Sequence, residues 1–298
     1  MIGSRVTRNL VDRGFSVRVL TRRRCDLPNV EIFRSSLSDE HQLDKFVSGA
    51  EMIFHCAAEL YDESRMQETN VAGTRRLIDL ASRHKVRFFC HLSSAGVIGK
   101  VDQQIVDEST PCRPQNAYEK SKLEAERLFD TGIDGCKVVI LRPTNVVDHD
   151  HLGELDIVVD GSATSWIKAV LKGSECAHLV HAEDVASAAV HFIDWPIFDN
   201  PRIYFVSRDA DPLNTFAHIW RIYRVLLPDR GRLRMRCLPS LPMFVPYVLR
   251  RMVGRPSNRG DVRYSSARLE SEGFQFAYGV DKVIRSIAFR DGAGEIAS

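Results

Sequence analysis

Short β-rich runs alternate with stretches of helical apolar spacing through the first half of this chain, and that alternation leaves few folds open. Strand-like runs stand at 17–20, 31–33, 52–56, 87–92 and 137–141. Between them apolar residues recur at helical spacing, as in Val6, Leu10 and Val11, then Leu77, Ile78 and Ala81. Such alternation builds a parallel sheet with helices on both faces. The expected fold class is therefore α/β, a doubly wound parallel sheet with a smaller C-terminal lobe. After Pro143 the regular alternation fails, and proline and charge become frequent across 238–259. A helix at 183–193 and a strand at 202–206 resume the pattern. The expected domains are 1–145, with 183–207 returning to it, and a lobe made from 146–182 and 208–298.

Composition narrows the function classes. With 298 residues, 44% hydrophobic and 27% charged, the chain can bury a sizeable core. Its 41 Lys and Arg against 39 Asp and Glu leave a net +2, which lacks the clustered basic excess of a nucleic-acid binder. Cys25, Cys56, Cys90, Cys112, Cys136, Cys176 and Cys237 are scattered, with no C-x-x-C pair. An odd, dispersed set reads as reduced thiols of a cytoplasmic protein. The apolar run 241–249 is broken by Pro242 and Pro246 and is too short to cross a bilayer, so no transmembrane segment is expected.

Tyr118-Glu119-Lys120-Ser121-Lys122, with Ser94 upstream, carries the chemistry. Four residues apart, Tyr118 and Lys122 share one helix face. A phenol near pKa ~10 is a poor base at neutral pH. A nearby ammonium stabilises the phenolate and makes it an acid/base group for alcohol–carbonyl interconversion. Ser94 is read as closing the strand Phe88 to Leu92, where a hydroxyl can bind the reacting oxygen. A tyrosine and a lysine four apart occur by chance in many helices, so the pair carries weight only in context.

That context is a series of motifs in order: Ile2-Gly3-Ser4-Arg5, Phe54-His55-Cys56-Ala57-Ala58, Asn70-Val71-Ala72-Gly73-Thr74, His91-Leu92-Ser93-Ser94-Ala95, Tyr118 to Lys122 with Glu124-Ala125-Glu126, Leu141-Arg142-Pro143, and Val180-His181-Ala182-Glu183-Asp184-Val185-Ala186. In them the chain resembles the extended short-chain dehydrogenase/reductase family, in particular its NAD-dependent epimerase/dehydratase group. The resemblance implies a Rossmann-like domain in which Tyr118 is the acid/base. Lys122 lowers the tyrosine's pKa and holds the nicotinamide ribose, and Ser94, rather than Ser93, binds the substrate oxygen. It puts Gly3, Ala57, Ala58, Asn70, Lys122 and Pro143 on the cofactor side.

The departures set further expectations. In the family a buried strand and a T-G-x-x-G-x-x-G turn precede the first helix, the glycines letting backbone amides approach the pyrophosphate. Here Met1-Ile2-Gly3 opens the chain and Gly3 matches the last of those glycines. The expectation is a sheet lacking its first strand, from a start assigned downstream of the true one or from a truncated gene product. Arg22 and Arg23 follow the second family strand with no acid before Asp26. Arginine there accommodates a 2′-phosphate, which favours NADP over NAD.

Other residues are given plainer readings. His55 and His91 are read as satisfied structural histidines, and His149 and His151 as a surface loop, so no metal is expected. Trp166, Trp195 and Trp220 are read as packing residues. The expected function is an NAD(P)-dependent epimerase or dehydratase acting on a nucleotide sugar, with no nucleic-acid partner and a homodimer left open. An NADPH-dependent ketone or aldehyde reductase, or a non-catalytic binding protein, are the alternatives.

Overall fold

A computed structural model describes residues 1–25, 27–148, 170–198, 201–226 and 260–287, with isolated positions 167, 241, 245, 247, 248, 252 and 258. His149, His151, Trp166 and Cys237 lie outside the described residues.

The strands and helices alternate as the pattern requires. Helix α1 (Ile2–Asp12) leads to β1 (Val17–Thr21), β2 (Val30–Arg34), α2 (Glu40–Val47) and β3 (Met52–His55). Then come α3 (Glu63–Met66), a π-helical segment at Gln67–Ala72, α4 (Gly73–Arg83) and β4 (Phe88–Leu92). A 3₁₀ turn at Ala95–Ile98, β5 (Ile105–Val106), α5 (Ala117–Arg127), β6 (Lys137–Pro143) and β7 (Asn145–Val147) follow. The remaining elements are β8 (Leu179–His181), α6 (Ala182–His191), β9 (Arg202–Val206), α7 (Phe216–Leu226), β10 (Arg263–Tyr264) and α8 (Ala267–Ser271).

The main sheet runs β3-β4-β6-β9. Its first two pairings are parallel, in a register that sets Met52 against Phe88 and Phe88 against Lys137. β1 and β2 pair in parallel in a sheet of their own, so β1 and β3 share no ladder. This is an α/β fold of parallel strands covered by helices, as the alternation demands. Every residue of β6 is buried, which fits a strand covered on both faces.

Contacts divide the chain into two units, Met1–Gly99 with Pro111–Pro143 and Val185–Tyr204, and Lys100–Thr110 with Thr144–Asp184 and Phe205–Ser298. The core of the first gathers Leu43 and Val47 from α2, Leu77 and Ala81 from α4, Phe89 from β4, and Phe129 after α5. The core of the second forms around Leu179, Ile219, Trp220, Val283 and Ile284, with Trp220 only 1% exposed. It also contains the parallel pairs β7–β8 and β5–β10.

Gly99 fixes the turn that follows β4. Its φ of 61 is left-handed, and a Cβ there would stand 1.9 Å from the carbonyl oxygen of Arg113. No side chain fits that approach.

Candidate active site

Helix α5 presents the site because its N-terminus is capped twice. Asn116 Oδ1 accepts from the Glu119 amide at 2.9 Å, and Glu119 Oε2 accepts from the Gln115 amide at 2.6 Å. Tyr118 therefore stands in a fixed first turn, with Lys122 one turn later on the same face.

Lys122 is 2% exposed, and its Nζ donates to the carbonyl oxygen of Leu92 at 2.6 Å. Burial pulls the ammonium down to about 8, against the opposing charges of Glu126 and Cys56. Glu126, a further turn along α5, accepts Arg142 Nε at 3.0 Å and Nη2 at 2.6 Å, and each side chain of the pair is 4% exposed. Arg142 Nη2 also reaches Cys112 Sγ at 3.4 Å. Glu126 thus pairs with Arg142 and also lends its charge to Lys122, one turn back on the same helix. The sequence motifs contained Glu126 and Arg142 without giving them a task. The signal was the four-residue step from Lys122 to Glu126, which continues the same helix face.

Tyr118 hydrogen-bonds Ser94, and Ser94 Oγ accepts the Gly96 amide at 3.1 Å as the cap of the 3₁₀ turn. β4 ends at Leu92, two residues before Ser94, so the serine sits on this turn rather than at the strand end. Burial raises the Tyr118 phenol above its ordinary range, and the Ser94 hydrogen bond lowers it by less. The sequence expectation was a phenol lowered by Lys122. Here the lysine faces the Leu92 carbonyl, and desolvation is the larger effect.

Asn70, 1% exposed, lies in the π-helical segment, a distortion that recurs at functional sites. It accepts the Glu59 amide at 2.7 Å and donates to the Glu59 carbonyl at 3.0 Å and to Ser121 Oγ at 2.9 Å. Ser121 in turn donates to the Tyr118 carbonyl at 2.8 Å. One amide side chain therefore ties the loop after β3 to the helix turn that carries the tyrosine.

The other sequence candidates fall into two groups. Gly3 is in the first turn of α1, where an added Cβ would lie 3.6 Å from Cys56 Cβ at the end of β3. Burial pushes the Cys56 thiol up to about 11, with Lys122 opposing, so Gly3, Cys56 and Lys122 are near neighbours. Ala57 is exposed and Ala58 half-buried just after β3, while Pro143 ends β6 in a buried position. Arg22 and Arg23 are exposed in the turn after β1 and join no part of the Tyr118 group among the described contacts.

His55 fits its structural reading: Nε2 meets Thr74 Oγ1 at 2.9 Å, and burial, then the Lys122 charge, hold it down to about 3. His91 does not. It is 0% exposed, and both ring nitrogens lack a hydrogen-bond partner. From β4 its ring faces Phe129 and His55, each at 5.3 Å. Burial, then Lys122 and His55, press its pKa well below the usual imidazole value, so it stays neutral.

Residues 1–207 match the sequence model of the NAD dependent epimerase/dehydratase family. A dTDP-glucose 4,6-dehydratase of Streptomyces niveus is 31% identical over 205 residues, covering 54% of this chain and 61% of the relative. A 3 beta-hydroxysteroid dehydrogenase/Delta 5-->4-isomerase of Mycobacterium tuberculosis (strain CDC 1551 / Oshkosh) is 29% identical over 240 residues, covering 72% of this chain and 64% of the relative. The chain thus spans under two thirds of the length of either. Among solved structures, a short-chain dehydrogenase/reductase superfamily protein from Agrobacterium tumefaciens, with bound NAD, superposes with a TM-score of 0.74 at 20% identity, covering 100% of this chain and 97% of its own. That likeness shows the Rossmann-type fold.

Proposed function

The chain belongs to the NAD dependent epimerase/dehydratase family, and from that premise we propose that it oxidises and re-reduces a nucleotide-linked sugar with a nicotinamide dinucleotide. The observation that carries the reading is the grouping of Ser94, Tyr118 and Lys122 on the turn and helix that follow β4. Relatives named for dTDP-glucose support a sugar nucleotide as the substrate class.

The residues fit the cofactor on one specific point. An ammonium has three donors, and Lys122 spends one on the Leu92 carbonyl. The remaining donors suit ribose hydroxyls. Asn70, Pro143, Gly3, Ala57 and Ala58 are the proposed lining on the cofactor side, with Arg22 and Arg23 meeting a 2′-phosphate if NADP is the form used. When bound, the dinucleotide supplies two-electron oxidation of an alcohol carbon and the reverse reduction.

The chain's own residues manage the proton. Ser94 holds the reacting oxygen beside Tyr118. The Tyr118 phenolate takes the hydroxyl proton as the carbon is oxidised, and the phenol returns one when the carbonyl is reduced. Burial alone holds Tyr118 in the phenol form. The Lys122 ammonium, one turn away, must therefore act as the counter-charge of the phenolate once substrate and dinucleotide fill the site. The Leu92 carbonyl holds the Lys122 ammonium, and the nearby Glu126 carboxylate favours its charged form.

The test incubates the purified chain with NAD or NADP and a dTDP- or UDP-linked hexose, then separates the products. A new sugar nucleotide, epimerised or dehydrated, with no net reduction of the dinucleotide, is the expected result. Net oxidation of NADPH with a simple ketone, and no change in any sugar nucleotide, would replace this reading with the one-way reductase, which the paired arginines at 22 and 23 favour.

A further inference from the structure

The second unit holds a cluster of three donors that no step of this reaction uses. Cys176 is anchored by its amide to the Gly260 carbonyl at 2.9 Å. His178 follows two residues later, immediately before β8, with a left-handed φ of 55. Asp209 stands just after β9 and is 0% exposed. One donor atom from each, the Cys176 sulfur, a His178 ring nitrogen and an Asp209 carboxylate oxygen, lie within 4.8 Å of one another.

Their existing bonds hold the three in place. His178 Nδ1 meets Asp209 Oδ2 at 2.6 Å, and His178 also hydrogen-bonds Cys176. The Tyr264 amide donates to Asp209 Oδ2 at 2.9 Å, and Asn214 Nδ2 approaches Oδ1 at 3.5 Å. The Tyr264 ring packs edge-on to His178 at 5.3 Å and closes one side of the cluster. A sulfur, an imidazole and a carboxylate are here gathered in a mostly buried place.

We propose that Cys176, His178 and Asp209 bind a divalent transition-metal ion of the Zn²⁺ class, with three protein donors and an open fourth position. Thiolate, imidazole and carboxylate are the donors such an ion takes, at roughly 2.0–2.3 Å each. Donors already within 4.8 Å need only small side-chain movements to close on it. Thiolate and imidazole ligands must give up their protons to such an ion, so its binding releases protons and weakens as pH falls. Sequence reading named no metal site because Cys176 and His178 are separated from Asp209 by β8, α6 and β9.

The experiment titrates Co²⁺ and then Zn²⁺ into the full chain, reduced and stripped of metal with a chelator. One equivalent of Co²⁺ should raise an intense sulfur-to-metal absorption, and one equivalent of Zn²⁺ should bleach it. Cys176→Ala, which keeps a small apolar residue, should melt like the parent and lose the band. His178→Gln keeps a hydrogen-bonding side chain and should weaken Zn²⁺ binding by at least about tenfold. No sulfur-to-metal band in the parent overturns the proposal. So does a band of equal strength in Cys176→Ala, which would place the ion on other thiols. The readout is metal binding, so it stands or falls independently of the epimerase reading.

Discussion

Lys122 Nζ donates to the main-chain carbonyl of Leu92 at 2.6 Å, which fastens helix α5 to the end of β4. That bond joins the helix that carries Tyr118 to the strand end that leads into the Ser94 turn. The position of Tyr118, the proposed acid/base group, therefore depends on a buried charge.

Tyr118→Phe keeps the ring and removes the hydroxyl. Turnover of the active substrate should fall by roughly 10²–10⁴-fold, the usual worth of an acid/base group, with an unchanged melting temperature. Near-normal turnover would remove Tyr118 from the mechanism.

Lys122 gives a pH signature. Its folded pKa is about 8, below the ordinary 10.5. Between those values the unfolded chain binds more protons than the folded one, so this group's contribution to stability rises with pH. Lys122→Met, which has no charge to bury, should lack that rise. Denaturant melts from pH 7 to 10.5 should show the parent gaining on the variant as pH climbs. Parallel curves would mean that the ammonium is better solvated than its burial indicates.

The Glu126–Arg142 pair should be costly to break from one side. Glu126→Gln leaves Arg142 buried without its counter-ion, and such losses run to about 3–5 kcal/mol. Urea unfolding measures it. Joint replacement of Glu126 and Arg142 by Gln and Met should recover part of the loss, and a failure to recover any would assign the effect to packing.

His91 is predicted to be a burden on stability. Unpaired buried polar groups cost about 1–3 kcal/mol, so His91→Leu should stabilise the chain by roughly 1 kcal/mol or more at pH 7. Its folded pKa lies well below the ordinary 6.5. The unfolded chain therefore takes up a proton first as pH falls below that value, and stability is lost. The variant should be less acid-sensitive between pH 6.5 and 5. A destabilised variant would show that His91 has a partner, such as a buried water.

The proposed 2′-phosphate role of Arg22 and Arg23 is tested by comparing cofactor forms. Calorimetry should find NADPH bound more tightly than NADH, and the double alanine variant should lose the difference. A parent that favours NADH would refute the arginine reading.

What could be read in the sequence was local. β-rich runs marked the five strands at Val17–Thr21, Val30–Arg34, Met52–His55, Phe88–Leu92 and Lys137–Pro143, and helical spacing marked the helices Ile2–Asp12 and Gly73–Arg83, because each pattern needs only its own window of residues. The Tyr118–Lys122 spacing was legible for the same reason. The pairing of β5 with β10 was not, since two-residue strands carry no period.

Tertiary structure decided everything that depends on solvation or on distant partners. Sequence gave Tyr118 a cation neighbour, but whether the phenol is lowered by it or raised by burial depends on what the fold packs over it. A histidine inside a strand pattern reads as a satisfied core residue, and only the packing around His91 shows that both ring nitrogens are buried without a hydrogen-bond partner. Cys176, His178 and Asp209 look unrelated along the chain, and only the fold of the second unit brings one donor atom of each within 4.8 Å of the others. The physical reason is common to all three: periodicity fixes which face of an element is apolar, while desolvation and long-range pairing are settled only when faces meet.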